Sequence, residues 1–174
     1  MSIKKLDNKI KKETYDKKLL LVIDVQNDFI DSNNVHILDK ISKLIYSNEY
    51  DDVVFTRFIN DTESIWYKKL DYKGCITEEG RRIAIDTGNN KIFDKTIYSA
   101  VNSELENYIK NNNINEIYLC GFDTDACVQK TAIDLFEKNY NVFVLKDYCM
   151  SYDIELHNTI INNLKRLIGK DSVI

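Results

Sequence analysis

The chain has no proline among its 174 residues, where average usage of ~5% would give about nine. It has only five glycines and two histidines, His36 and His157. The lack of proline and glycine excludes collagen-like and linker-like character. Two histidines leave little from which to build a multi-histidine metal site. No apolar run approaches the roughly eighteen residues that would suggest a bilayer span, so no membrane partner is expected. The start of the chain is charged and has no apolar h-region, which argues against a secretory signal peptide. Basic side chains are in the minority, 24 against 28 acidic, for a formal net charge of −4. That removes the bulk electrostatic case for a nucleic-acid partner, which calls for a basic face.

What remains is ordinary globular material, 44% hydrophobic and 30% charged, long enough for one domain with its own core. The expectation is a single domain over residues 1–174. Residues 1–18, with seven lysines against three acids, read as a solvated N-terminal extension. Four cysteines, Cys75, Cys120, Cys127 and Cys149, include no C-x-x-C pair. A core of this size needs no disulfides, so a reduced, cytoplasmic protein is expected.

Apolar runs of strand length alternate with stretches of helical periodicity. LLLVIDV over 19–25, DVVFTR over 52–57, KIFD over 91–94, EIYLCGF over 116–122 and NVFVLK over 141–146 read as strands. Between and after them, 100–110, 127–138 and 154–168 carry apolar residues at helical spacing, and 171–174 reads as a clipped edge strand. Such alternation implies right-handed βαβ crossovers. The expected fold is a three-layer α-β-α sandwich around a mostly parallel, Rossmann-like sheet of order 3-2-1-4-5-6. Ligands of such sheets sit beyond the carboxyl ends of the strands. The chemically able residues at those ends are Asp24, Arg57, Asp94, Lys95, Asp123, Asp125, Cys127 and Asp147.

Three of these stand out. Cys127 follows a buried strand directly and falls in the first turn of a helix, where unpaired N–H groups and the helix dipole favour a thiolate. The same N–H groups suit an oxyanion. Asp24 ends the first buried run, where an acid is costly to bury without purpose. Lys95 closes the third strand. Neither histidine is well placed to serve the cysteine, so Asp24 takes the part of proton acceptor.

The chain resembles the isochorismatase-like cysteine hydrolases, a family that includes nicotinamidases and related amidases. The resemblance rests on LLVIDVQNDF over 20–29, FTRF over 55–58, DKTIYS over 94–99 and GFDTDACVQKTA over 121–132. It implies Cys127 as nucleophile, Asp24 as general acid/base and Lys95 as third member of a triad. It also implies a cis peptide between Phe122 and Asp123, with the Asp123 and Cys127 amides forming an oxyanion hole. Asp123 departs from the small residue the family often carries there.

Nicotinamidases of this family hold a metal through an Asp-x-His segment after the second strand. Here that stretch reads TRFIN over 56–60, so no metal and no cofactor are expected. The implied reaction is metal-independent cleavage of a C–N bond in a small amide or ureide through a thioester. A vinyl-ether hydrolase of isochorismatase type and a non-catalytic, small-molecule-binding member of the fold stand as alternatives. Candidate pocket residues are Phe29, Arg57, Trp66 and Tyr98, with a structural ion pair as the safer reading of Arg57. The resemblance further implies a homo-oligomer, a dimer or higher.

Overall fold

The computed structural model describes residues 16–174. Most of the lysine-rich extension lies outside the described residues. Its last two members, Lys17 and Lys18, open the first strand instead of preceding it.

The elements run β1 Lys17–Ile23, α1 Ile37–Ile45, β2 Asp52–Phe58, α2 Ile65–Leu70, α3 Glu78–Arg81, β3 Lys91–Lys95, α4 Ser103–Asn111, β4 Ile114–Gly121, α5 Gln129–Glu137, β5 Asn141–Cys149 and α6 Ile154–Leu167. The five strands form one sheet in the order β3-β2-β1-β4-β5. Every neighbouring pair is parallel. The expected sixth strand is not formed. Residues 171–174 contribute a single parallel bridge, Val144 to Val173, and 170–172 form a 3₁₀ turn instead of extended chain.

The central strand explains the layering. Leu19 to Ile23 are all fully buried, as a strand covered on both faces must be. Leu19, Leu21 and Ile23 join Leu105, Ala132 and Ile161 on the face covered by α4, α5 and α6. Leu20 and Val22, pointing the opposite way, join Ile37, Ile41 and Phe55 beneath α1. Full burial of one such side chain is worth about 1.5–3 kcal/mol, so the strand with the most apolar sequence sits at the centre.

The topology reverses at β1, with β2 on one side and β4 on the other. The carboxyl ends of these strands and of β3 therefore open onto one crevice. Gly121 closes the gap there. Its φ is +117°, and a Cβ on it would lie 2.0 Å from the Ile23 carbonyl oxygen, so only glycine lets β4 approach β1 this closely.

Candidate active site

Asp24 is the first residue beyond β1 and is completely buried, with φ at +48°. Its position is fixed from β2. The Asp24 amide donates to Thr56 Oγ1 at 3.2 Å, and that hydroxyl donates back to Asp24 Oδ1 at 2.7 Å. Two residues on, the buried Gln26 side chain pairs with the Phe58 backbone, accepting from its N–H at 2.6 Å and donating to its carbonyl at 2.9 Å. These bonds replace a strand ladder where β1 leaves the sheet, and they hold the aspartate still.

Lys95 is the last residue of β3, only 5% exposed. Its ammonium lies 2.6 Å from Asp24 Oδ2 and 3.3 Å from Cys127 Sγ. It also donates to the carbonyls of Ile97 at 2.9 Å and Tyr98 at 3.1 Å. An ammonium has three protons. The two carbonyls and the sulfur lie within its reach, and its contact with Asp24, the shortest of the four, is a buried ion pair. Apart from Lys95, Asp24 Oδ2 has no partner among the described residues. That leaves one open acceptor lone pair beside the sulfur's own lysine.

Cys127 follows the cis peptide between Phe122 and Asp123 and sits in a π-helical turn, Thr124–Val128, that leads into α5. The turn is wide because the Val128 amide reaches back five residues to the Asp123 carbonyl at 3.1 Å. It is anchored from α6, where His157 Nδ1 and Thr124 Oγ1 share a hydrogen bond of 2.9 Å. Burial moves the His157 pKa down, which favours the neutral ring that such a bond uses.

The electrostatics correct one expectation. The helix start was expected to depress the Cys127 thiol. Instead burial pushes it well above the ordinary thiol value, and the Asp24 charge pushes the same way. Lys95 offsets only part of this. Burial would lower the Lys95 pKa, but Asp24 and Cys127 outweigh it and the net shift is upward. Both shifts favour a neutral thiol beside a charged ammonium. A free thiolate would add an unbalanced third charge in a buried place; a proton passed from Sγ to Asp24 would not.

A cavity of about 260 Å³ opens onto Cys127 and Asp123. Aromatic side chains dominate its walls: Phe29, Phe58, Trp66, Tyr72, Tyr98 and Tyr152, with Leu70 and Ala126 completing the lining. Trp66, on α2, meets Phe58 and Tyr98 edge-on at 5.6 and 5.5 Å between ring centres. Of the four pocket candidates, Phe29, Trp66 and Tyr98 line this cavity.

Arg57 does not. Its guanidinium makes a two-pronged ion pair with Asp94, at 2.7 and 2.9 Å, and lines a separate polar groove with Arg81, Arg82 and Asp86. The reason is strand alternation: Thr56 points to Asp24, so its neighbour Arg57 points away. The sequence reading did not single out Tyr72 and Tyr152, which lie outside the strands and are brought in by the chain's return. Among eleven tyrosines no local signal marks these two.

The expected lack of a metal can be tested on donors. In the stretch after β2, Thr56 is spent on Asp24 and Phe58 is aromatic wall. The Asn60 side chain donates to the Tyr72 and Gly74 carbonyls and accepts from Asp61 N–H and Ser64 Oγ. No histidine or carboxylate stands in 56–60, and the residues present do not fit a metal. Among the described residues no group of three His, Cys, Asp or Glu side chains could hold one. Nor is any helix there long and apolar enough to cross a membrane.

Asp24, Lys95 and Cys127 thus form a triad-like arrangement at the switch point of a parallel α/β sheet, the layout of a cysteine hydrolase. The family model for the isochorismatase domain matches residues 18–170, and the chain belongs to that family. Among curated relatives, isochorismatase family protein 2A of Dictyostelium discoideum is 34% identical over 80 residues, 45% of this chain and 40% of that protein. Isochorismatase domain-containing protein 2 of Xenopus laevis is 34% identical over 91 residues, 48% of this chain and 44% of the relative. The matched stretch is thus under half the length of either. The nicotinamidase PncA of Bacillus subtilis superposes with a TM-score of 0.76 at 26% identity, covering 88% of this chain and 97% of that one. The pyrazinamidase of Pyrococcus horikoshii, solved in complex with zinc, gives 0.80 at 20% identity over 90% and 97%.

Proposed function

We propose that the protein is a metal-independent cysteine hydrolase that cleaves the C–N bond of a small amide or ureide. The observation that carries this reading is the Lys95 ammonium held between Asp24 Oδ2 at 2.6 Å and Cys127 Sγ at 3.3 Å, at the edge of a cavity. Asp24 takes the Sγ proton at its open lone pair, and the sulfur attacks the carbonyl carbon. The backbone N–H groups of Asp123 and Cys127 receive the developing oxyanion. The protonated Asp24 then gives its proton to the leaving nitrogen, the C–N bond breaks, and ammonia or an amine departs from the thioester. A water that gives its proton to Asp24 attacks the thioester. The acid is released, and the proton returns to Sγ. Lys95 stays charged throughout and stabilises whichever partner is anionic.

The test is an ammonia-release screen over small amides, ureides and carbamoyl compounds, with wild type, Cys127→Ala and chelator-treated wild type side by side. Turnover by wild type, unchanged by chelator and lowered on the order of 10³-fold or more by Cys127→Ala, is the expected result. Activity retained in Cys127→Ala would overturn the covalent route. A homo-oligomer, dimer or higher, belongs to the same reading through the family resemblance; sedimentation velocity showing only monomer would remove it.

A further inference from the structure

The cavity beside Cys127 has one carboxyl on its wall that nothing in the proposed chemistry uses, the Asp123 side chain. Its backbone has a role in that chemistry; its carboxyl has none. Asp123 lines the cavity, and its Oδ1 is buried with no hydrogen-bond partner among the described residues. A buried acceptor without a partner costs free energy comparable to a lost hydrogen bond, so the fold maintains this group against a cost. It shares the cavity wall with the Tyr72 hydroxyl, another buried polar atom without a partner among the described residues. Six aromatic rings surround that space, and their faces attract cations as well as flat apolar groups.

The other charges nearby point the same way. Burial above all, and then the like charges of Asp125, Asp24 and Asp31, push the Asp123 carboxyl up to about 7. Asp24 has Lys95 to balance it; Asp123 has no cation within ion-pairing distance among the described residues. An anionic substrate group brought to this wall meets carboxylates and no free cation.

We infer that Asp123 is the specificity-determining residue of the cavity, accepting a hydrogen bond from an N–H donor or ammonium group on the substrate and turning carboxylate-bearing amides away. Resting on the hydrolase reading, this names the substrate class more closely: a small amide with a flat or apolar body and a donor, preferably cationic, away from the scissile carbonyl. The cavity of about 260 Å³ lies just below the usual range of ligand sites, which suits a single ring or its aliphatic equivalent.

Trp66 provides the readout, as the only tryptophan in the chain and part of the cavity wall. Binding of three probes of one shape, benzamide, 3-(aminomethyl)benzamide and 3-carboxybenzamide, is followed at pH 8 by tryptophan fluorescence. Cys127→Ala serves as host so that no probe is consumed, and Asp123→Asn is added in the same background. The aminomethyl probe should bind tightest and the carboxy probe weakest, separated by roughly 10- to 100-fold, as expected for one charge-assisted hydrogen bond. Asp123→Asn, which keeps the shape and the backbone amide, should bring the two within about threefold. An unchanged ratio in Asp123→Asn, equal binding of all three, or no binding of any would overturn the assignment. Ammonia release by wild type from the same probes separates the two claims. Hydrolysis without charge preference leaves the hydrolase reading standing and removes the role of Asp123. Selective binding without hydrolysis does the reverse.

Discussion

Two ion pairs stand side by side at the end of β3, one residue apart, and have opposite fates. Asp94 meets Arg57 in a two-pronged contact at 2.7 and 2.9 Å, with side chains 52% and 36% exposed. Lys95 meets Asp24 at 2.6 Å with side chains 2% and 0% exposed. The outer pair has the better hydrogen-bond geometry and the smaller energetic consequence, because solvent screens it. In the inner pair Lys95 is the one partner of Asp24 Oδ2 among the described residues, which leaves that oxygen a further acceptor lone pair. Strand alternation alone assigns them: β2 sends Thr56 inward and Arg57 outward, and β3 sends Lys95 inward and Asp94 outward. A third aspartate, Asp123, lies between these cases, lining the cavity with no cation of its own.

The inner pair should break most dramatically. Lys95→Met leaves the Asp24 carboxylate buried and uncompensated, which should cost about 3–5 kcal/mol of stability along with most of the activity. Urea unfolding measures the first and ammonia release the second. Because such a variant could fold too poorly to assay, Asp24→Asn/Lys95→Met is the informative partner: with no charge left to strand, it should recover much of the stability and none of the activity. Equal destabilisation in the single and double variants would show that the pair is held by packing and not by charge.

The lone acid should give a smaller, pH-dependent effect. Burial and the charges of Asp125, Asp24 and Asp31 raise the folded Asp123 carboxyl from 3.8 to about 7. Between those values the folded state holds a proton that the unfolded state has lost. Its contribution to stability is therefore fully present below about 3.8 and is lost as pH rises through about 7. Relative to Asp123→Asn, wild type should lose stability across that window and run parallel to it above. Unfolding midpoints at pH 5, 6, 7 and 8 read the difference; parallel curves throughout would mean that the carboxyl is solvated.

How much of this was legible beforehand divides along the same line. The parallel α/β sheet followed from buried runs alternating with helical periodicity, and Asp24, Lys95 and Cys127 followed from counting chemistry at strand ends. Position along a strand is readable because the runs end visibly. The side on which a residue emerges is readable only with the register in hand, which is why the sequence leaves Arg57 open between a pocket residue and half of an ion pair, and the register decides for the ion pair. Tyr72 and Tyr152 reach the cavity from outside the strands, where no period constrains direction. The thiol's raised pKa was missed for a different reason. A helix start is a local feature visible in sequence, whereas the burial and the Asp24 charge that overrule it come from segments about a hundred residues apart.

The outer pair provides the sharpest control, because its expected effect is the smallest. Arg57→Ala removes a two-pronged contact from a surface groove and leaves Asp94 free to hydrate, so nothing is stranded. Exposed pairs are typically worth 0.2–1 kcal/mol, and the geometry here places Arg57→Ala at about the upper end, measured by urea unfolding and weakened by added salt. Ammonia release should be unchanged, since Arg57 lines the polar groove and not the cavity at Cys127. A loss of activity with stability intact would mean that Arg57 reaches the substrate after all, through a rearrangement of the stretch after β2 or across a contact with a second copy. Either would return it to the pocket that its place at a strand end first suggested.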